Sequence, residues 1–351
     1  MEKWLVAMSG GVDSSVTAHL LAGQGYALQG VTMALYRRAT DGACGSASDA
    51  ADAARLCARL GFPHETIHLE DAFEQAVIAP FAAAYVRGET PNPCILCNRH
   101  LKFGALYRRA TELGCDGIAT GHYARVRREE ATGRYLLCKA ACPEKDQSYV
   151  LYMLPQEVLA RVRFPLGEMS KQQVRAYARE HGLESATRPD SQDICFVPDG
   201  DYAAFLRREC GVACPPGNFV DEQGRVLGQH RGVIAYTVGQ RKGLGLSLPA
   251  PLYVLRKQAE NRQVVLGPAE RLLSDTLTAR DCNWIAFDAP PATFRAAAKA
   301  RYRQAESPCT VAALPDGRVR VTFDTPQRAL TPGQAVVFYD GEVVLGGGTI
   351  E

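Results

Sequence analysis

The first half of the chain alternates short apolar runs with longer segments in which apolar residues recur at helical spacing. The runs predict β-strands at Trp4–Met8, Leu28–Met33, His64–His68 and Gly117–Thr120. The periodic segments predict helices over residues 14–23, 47–60, 71–87 and 100–113. Gly61 and Gly114 follow two of these helices, where a left-handed C-cap is expected. Repeated strand–helix units predict a Rossmann-like α/β domain with a parallel sheet and helices on both faces.

The pattern changes in the second half. A helical pair is predicted at about 155–182, with Ser170 and Gln173 as a capping box for its second helix. From about residue 216, short alternating runs are separated by Pro and Gly, and Asp340-Gly341 between two apolar runs predicts a hairpin turn. The second half is therefore predicted to be all-β, as two small barrel-like modules. The predicted domains are residues 1–200, 201–275 and 276–351.

Composition narrows the class of protein. A chain of 351 residues with 46% hydrophobic and 22% charged residues is typical of a globular protein of two or three domains. No apolar run approaches the ~20 residues of a membrane helix, and no signal-peptide pattern is present. We therefore expect a cytoplasmic monomer with no membrane partner. The net charge of +2 means that any nucleic-acid contact must come from local basic patches.

The segment Ser9-Gly10-Gly11-Val12-Asp13-Ser14 connects the first predicted strand to the first predicted helix. Glycines let backbone N–H groups approach a phosphate, and the helix N-terminus adds its positive dipole end. The Walker pattern is absent, and a capped turn without a ligand is the alternative interpretation. The motif resembles the PP-loop of ATP pyrophosphatases, which cleave ATP between the α and β phosphates and adenylate a substrate oxygen.

Three of the twelve cysteines stand apart from the rest, which we expect to be small buried hydrophobes. Cys94 and Cys97 form a C-x-x-C within residues 90–98, where two prolines predict an extended, loop-like backbone. The basic residues at 99–102 favour thiolate. Cys195 lies in the polar segment Asp190–Phe196 rather than in an apolar run. Redox chemistry and metal ligation both stay open, including a zinc site with Cys210 and Cys214 as a second pair.

Taken in order, these motifs resemble the bacterial and organellar tRNA-specific 2-thiouridylases, which replace the C2 oxygen of the anticodon wobble uridine with sulfur. The resemblance covers nearly the whole chain. It is carried by residues 9–14, 90–98, 119–123, 145–149, 190–196, 239–245, 299–304 and 331–334. It implies an adenine nucleotide α-hydrolase-like PP-loop domain followed by two small β-rich domains, the last of which contacts tRNA.

The resemblance also implies roles for individual residues. ATP would be surrounded by Ala7, Met8, Ser9, Gly10, Gly11, Val12, Asp13, Ser14, Met33 and Gly121. tRNA would be contacted by Asn92, Pro93, Cys94, His122, Lys145, Asp146, Gln147, Arg301, Tyr302 and Gln334. Cys195 would carry a persulfide sulfur delivered by a relay from a cysteine desulfurase, and Cys97 would release the sulfur or close a disulfide with Cys195. Mg²⁺ would stabilise the departing pyrophosphate.

One position departs from the family's reference form, which has Asp where Cys94 stands. The missing carboxylate opens a second route, in which Cys94, Cys97 and Cys195 hold a [4Fe–4S] cluster with one iron open to sulfide. Three other interpretations of the chain also stay open. They are a different PP-loop ATP pyrophosphatase that amidates a nucleotide or ligates an amino acid, a non-catalytic tRNA-binding protein, and a redox or zinc protein built on the C-x-x-C.

Overall fold

The computed structural model describes residues 1–36, 46–189, 194–247 and 250–351. The strands of these residues, in chain order, are β1 Lys3–Ala7, β2 Ala27–Ala34, β3 His64–His68, β4 Gly117–Ala119, β5 Arg125–Arg128, β6 Tyr135–Cys138, β7 Val162–Arg163, β8 Gly217–Val220, β9 Val226–His230, β10 Tyr253–Gln258, β11 Gln263–Gly267, β12 Leu273–Trp284, β13 Thr293–Lys299, β14 Ser307–Ala313, β15 Val319–Arg328, β16 Ala335–Asp340 and β17 Val343–Ile350.

The α-helices of the described residues are α1 Val12–Gly23, α2 Ala47–Arg59, α3 Glu70–Phe73, α4 Ala79–Val86, α5 Pro93–Cys97, α6 Leu106–Glu112, α7 Ser148–Leu151, α8 Gln156–Leu159, α9 Lys171–Glu180 and α10 Tyr202–Glu209. Two π-helical segments, Glu74–Ile78 and Asn98–Ala105, connect α3 to α4 and α5 to α6. No helix of the described residues is long and apolar enough to cross a membrane.

The first domain contains the predicted parallel sheet, with strand order β3-β2-β1-β4-β7. Leu5 and Val6 on β1 are fully buried in two different apolar clusters, because successive side chains of a strand point to opposite faces. The chain crosses from β3 at one side of β1 to β4 at the other, so the strand order reverses at β1. Ligands of such sheets bind outside the carboxyl ends of the strands at this switch point.

The extended backbone predicted around the C-x-x-C is wrong. Residues 93–97 form α5, and Pro93 occupies its first turn. A first-turn N–H has no partner within the helix, so proline costs nothing there and its fixed φ suits the helix. The Asn92 side chain caps α5 by accepting a 3.1 Å hydrogen bond from the Cys94 N–H. Cys94 and Cys97 therefore stand on a helix instead of a loop.

The second half is all-β after α10, as predicted. Strands β10-β11-β8-β9 form one sheet, and β12-β15-β14-β13-β16-β17 form a closed six-stranded barrel because β17 also pairs with β12. The predicted hairpin lies between β16 and β17, but Asp340 pairs with Val343, so the loop is Gly341-Glu342. The predicted capping box at Ser170 and Gln173 is present on α9.

The sequence pattern missed one hairpin. Strands β5 and β6 pair with each other, and Cys138 of β6 pairs with Val343 of β17. A hairpin from the first half of the chain therefore extends the sheet of the last domain. Its first strand reads Arg-Val-Arg-Arg, and charged residues hide the alternation that predicts a strand.

Candidate functional site

The loop between β1 and α1 has a backbone shape that glycine and serine side chains fix. Gly10 has a φ of +72°, and a Cβ on it would lie 2.8 Å from the Asp49 carboxylate. The Ser14 hydroxyl donates to the Gly11 carbonyl at 3.0 Å and accepts from the Ser9 N–H at 3.2 Å. Gly11 is the N-cap of α1, and no side chain in the described ranges caps it. The first-turn N–H groups of α1 therefore suit an anion.

The sequence pattern did not predict Arg188, whose side chain holds this loop against α2. Its guanidinium donates to the Gly10 carbonyl at 3.0 Å and to the Asp49 carboxylate at 2.7 Å, and it also pairs with Asp52. Arg188 therefore connects the loop to α2. No local motif marks this residue, because its partners lie far away in the chain.

Gly121 follows β4 and lies directly against the loop. A Cβ on Gly121 would lie 2.9 Å from the Asp13 carbonyl carbon and 3.0 Å from the Ser14 nitrogen. Met8, which follows β1, and Met33 on β2 are also assigned to ATP, and both side chains are at most 9% exposed. Ala7, at the end of β1, packs against the same apolar cluster as Met33. The predicted ATP residues thus gather at the switch point of the sheet.

Asp13, in the first turn of α1, is surrounded by donors from two other segments. Both of its carboxylate oxygens accept from the Lys171 ammonium, at 2.7 and 2.8 Å, and one accepts from the Tyr123 hydroxyl at 2.7 Å. Lys171 opens α9 and Tyr123 follows β4. Neither residue was singled out by the sequence pattern as a partner of the loop.

A cleft of about 640 Å³ opens beside this loop and is walled on its far side by the last domain. Its lining residues are Ser9, Gly11, Val12, Asp13, Tyr123, Pro143, Glu144, Lys145, Asp146, Gln147, Lys171, Pro189, Lys299, Tyr302, Arg303 and Gln304. The fold therefore brings the predicted phosphate loop, residues 145–147 and Tyr302 to one cavity. The cations on its walls favour a polyanionic ligand.

Residues 145–147 are held by the protein on one side and face the cleft on the other. The buried Asp146 carboxylate accepts from the Ala140 N–H at 3.0 Å and from the Ser148 hydroxyl at 2.7 Å. Gln147 exchanges two hydrogen bonds with the Tyr123 backbone, at 2.8 and 2.9 Å. Asp146 and Gln147 thus position the loop that carries Lys145.

Tyr302 is an exposed aromatic residue at the cleft, with 39% of its surface accessible. Its hydroxyl donates to the Asp146 carbonyl at 3.2 Å, and its ring centroid lies 5.7 Å from that of Tyr149. Burial of the phenol raises the pKa of Tyr302, and the nearby Asp146 and Cys94 raise it further.

Three predicted tRNA residues make contacts within the protein. Arg301 donates to the Ala329 carbonyl and the Thr331 hydroxyl, each at 2.7 Å. His122 is buried and lies 2.8 Å from the Thr120 hydroxyl, and burial holds its pKa well below the usual range. Gln334 donates to the Thr90 carbonyl at 2.6 Å.

The segment before α5 is a junction of all three parts of the chain. The Thr90 N–H donates to the Pro332 carbonyl at 2.9 Å, next to the contact from Gln334. From β10, the Lys257 ammonium donates to the Glu89 carbonyl at 3.1 Å. The two β-rich parts therefore hold the chain just before Asn92, Pro93 and Cys94.

The three candidate thiols differ in exposure. Cys94 is exposed, Cys97 is buried in the main apolar cluster, and Cys195 is half-buried against that same cluster. Phe196 anchors the Cys195 segment, with ring centroids 5.5 Å from Phe73 and 5.4 Å from Phe81. The preceding part of the predicted segment, residues 190–193, lies outside the described residues.

The geometry of the thiols tests the metal hypotheses. Among the described residues, no group of three or more His, Cys, Asp or Glu side chains is arranged to hold a metal ion. The zinc alternative with Cys210 and Cys214 has no such group in the described ranges either.

Comparisons with known proteins cover the whole chain. Family models match in three segments: the tRNA methyl transferase HUP domain over residues 2–199, the tRNA methyl transferase PRC-barrel domain over 203–268, and the aminomethyltransferase beta-barrel domain over 274–350. The tRNA-specific 2-thiouridylase MnmA of Carboxydothermus hydrogenoformans is 50% identical, with 100% of this chain and 98% of the relative aligned. The enzyme of the same name from Acetivibrio thermocellus is 48% identical, over 100% of this chain and 99% of that protein.

One solved structure also aligns with part of this chain. The U34-tRNA thiolase NcsA from Methanococcus maripaludis with its [4Fe-4S] cluster aligns over 59% of this chain and 67% of its own, with 19% identity and a TM-score of 0.36.

Proposed function

The chain belongs to the family of tRNA-specific 2-thiouridylases, and from this premise we propose that it catalyses ATP-dependent 2-thiolation of the wobble uridine of tRNA. The observation that carries the proposal is the cleft of about 640 Å³, which joins the phosphate loop to Tyr302 and to the loop at 145–147. A single cavity with an anion site at one end and an exposed aromatic ring at the other suits a reaction between ATP and a base.

ATP binds at the phosphate loop in this proposal. The residues assigned to it are Ala7, Met8, Ser9, Gly10, Gly11, Val12, Asp13, Ser14, Met33 and Gly121. The N–H groups of the loop and of the first turn of α1 hold phosphate oxygens. Uracil C2 is a poor electrophile, so adenylation of its oxygen supplies AMP as the leaving group. Mg²⁺ would be held mainly by phosphate oxygens and water, because Lys171 contacts both Asp13 oxygens, and it would supply charge neutralisation to the pyrophosphate.

Sulfur comes from a Cys195 persulfide in the proposed reaction. The terminal sulfur attacks C2, the C–S bond forms, and the C–O bond to AMP breaks. Attack of the Cys97 thiolate on the Cys195 Sγ then releases 2-thiouridine and leaves a Cys97–Cys195 disulfide, which an external thiol reduces. Cys97 lies in the main apolar cluster and Cys195 packs against it, so the pairing requires the two segments to meet at this cluster. In the alternative route, Cys94, Cys97 and Cys195 would hold a [4Fe–4S] cluster that supplies sulfide, and iron and acid-labile sulfide analysis of active, anaerobically purified protein distinguishes the two routes.

The tRNA lies across the opposite wall of the cleft in this proposal. The target base is extruded from the anticodon, as for other enzymes that modify a base, and Asn92, Pro93 and Cys94 face it. Tyr302 offers a ring for stacking and Lys145 a charge for the backbone. His122, Asp146, Gln147, Arg301 and Gln334 contribute by holding these groups, given their hydrogen bonds within the protein. A cysteine desulfurase or a sulfur-relay protein is the proposed donor.

The direct test is mass spectrometry of nucleosides from tRNA incubated with ATP, cysteine and a cysteine desulfurase as the persulfide source, with and without the protein. We expect 2-thiouridine and AMP only when the protein is present. AMP without a thiolated nucleoside would favour another PP-loop ATP pyrophosphatase. tRNA binding without AMP would favour a non-catalytic tRNA-binding protein. The same assays are repeated with anaerobic protein that has been reconstituted with iron. If 2-thiouridine, AMP and tRNA binding are absent from both samples, the chain is not an enzyme of this class.

A further inference from the structure

The carboxylate of Asp13 lies beside the proposed phosphate site, where a positive charge is needed to offset it. Asp13 lies two residues after Gly11, in the first turn of α1, and it lines the cleft beside Ser9. A negative side chain there repels a polyphosphate, and the low local dielectric of a half-closed cleft strengthens that repulsion. In the described structure, Lys171 from a distant segment of the chain pairs with Asp13 and offsets its charge.

Lys171 is held in a fixed place beside the loop. Its ammonium contacts both Asp13 oxygens, at 2.7 and 2.8 Å, and only 14% of its side chain is exposed. The capping box of Ser170 and Gln173 fixes the backbone where α9 begins, one residue before Lys171. The ammonium also lies 5.9 Å from the Tyr123 ring, whose hydroxyl donates to the same carboxylate.

The other cations of the cleft stand on different walls. Lys145 belongs to the loop at 143–147, and Lys299 and Arg303 belong to the last domain. Lys299 lies 3.9 Å from Glu306 and 5.6 Å from the Tyr339 ring. Among the described cleft residues, Lys171 is the cation hydrogen-bonded to the phosphate loop itself.

We propose that Lys171 is a ligand of the β- and γ-phosphates of ATP, held at the phosphate loop by Asp13 and Tyr123. The Lys171 side chain lines the cleft beside the phosphate loop, so a phosphate bound at the loop comes within reach of its ammonium. The bond that breaks in adenylation leaves its electron pair on pyrophosphate, and Lys171 stabilises that charge. This inference rests on the proposed function, because it takes the cleft to be the ATP site.

The test measures nucleotide affinity by calorimetry in the full-length protein, without tRNA and in the presence of EDTA so that Mg²⁺ plays no part. Lys171→Met should weaken ATP binding by about 10- to 100-fold, the range of a lost charge-assisted hydrogen bond. The affinity for AMP should stay within about twofold of the wild type, because AMP lacks the phosphates that Lys171 contacts. Lys171→Arg should restore part of the ATP affinity, since it keeps the charge.

Two controls separate the alternatives. Arg179→Met removes one positive charge from the exposed end of the same helix and should leave the ATP affinity unchanged. The double variant Asp13→Asn with Lys171→Met removes both charges of the pair. The ATP affinity of this double variant should stay low if Lys171 binds phosphate. It should return towards the wild-type value if Lys171 only neutralises Asp13.

The results that overturn the inference differ from those that overturn the proposed function. Wild-type affinity of Lys171→Met for ATP, equal losses for ATP and AMP, or recovery in the double variant would each refute a phosphate ligand. Failure of the wild-type protein to bind ATP at all would refute the proposed function first. Equal thermal midpoints of the variants and the wild type exclude unfolding as the cause of a loss.

Discussion

Gly121 gives the sharpest test of how the phosphate loop is supported. A methyl group at this position would lie 2.9 Å from the Asp13 carbonyl carbon and 3.0 Å from both the Asp13 Cβ and the Ser14 nitrogen. Two of these three atoms belong to backbone and cannot swing aside as a flexible side chain does. Ordinary contact begins at 3.4 Å, so Gly121→Ala must move the start of α1 by about 0.4–0.5 Å.

The expected cost follows from that displacement. Overpacking of a close contact costs about 1–3 kcal/mol. If the loop relaxes outward in the free protein, ATP binding has to restore its shape, and the cost becomes a rise of about 5- to 150-fold in the Kd for ATP. The β4 side of the loop is rigid, because Gly121 follows a strand in the interior of the sheet.

The assay is calorimetric titration with ATP beside thermal unfolding of the same samples. Gly23→Ala is the matched control: it lies in the same helix, α1, and a Cβ there meets nothing within 4 Å. That variant should keep the wild-type Kd and gain a little stability, since alanine favours a helix by roughly 0.5–1 kcal/mol over glycine. The reasoning is refuted if Gly121→Ala binds ATP as tightly as Gly23→Ala and unfolds at the same temperature.

Three further outcomes are expected. Cys195→Ala should abolish thiolation and leave the ATP Kd unchanged, because Cys195 packs against the apolar cluster of Cys97 and is not among the cleft residues; loss of ATP affinity would contradict the assignment. Asp13→Ala should weaken binding of ATP with Mg²⁺ while Cys195 still accepts persulfide sulfur, and unchanged steady-state kinetics would argue against the loop assignment. Burial lowers the pKa of Lys257 from 10.5 to about 8, so the folded protein holds this proton less tightly than the unfolded chain does. The thermal midpoint of the wild type relative to Lys257→Met should therefore rise between pH 8 and pH 10.5, and a constant or falling difference across that window would show that Lys257 is not desolvated.

The α/β half of the fold followed from the sequence because its signals are local. The strand before Ser9, the glycines of the loop and the capping box at Ser170 each lie within a few residues of the structure that they determine. Pro93 misled the prediction for the same reason. A proline favours both extended backbone and the first turn of a helix, and the Asn92 cap decides between them.

The candidate site was predictable as a set of segments but not as a set of contacts. Arg301 is predicted to contact tRNA, and the sequence did not indicate that its guanidinium also donates to Ala329 and Thr331. The partners of a long polar side chain come from elsewhere in the chain, and no periodicity reports them. Lys171 and Arg188 escaped prediction in the same way, since each meets the phosphate loop only after the domain has folded.

Strand β17 has a consequence for synthesis on the ribosome. It pairs with β16, closes the barrel against β12, and meets β6 of the early hairpin at Val343. All three partners leave the ribosome before it, so each keeps an unpaired edge while translation continues. Exposed edges pair with other chains, and translating ribosomes on one message hold identical chains close together. A chain that lacks β17 therefore offers three unpaired strand edges to its neighbours, which favours aggregation over folding.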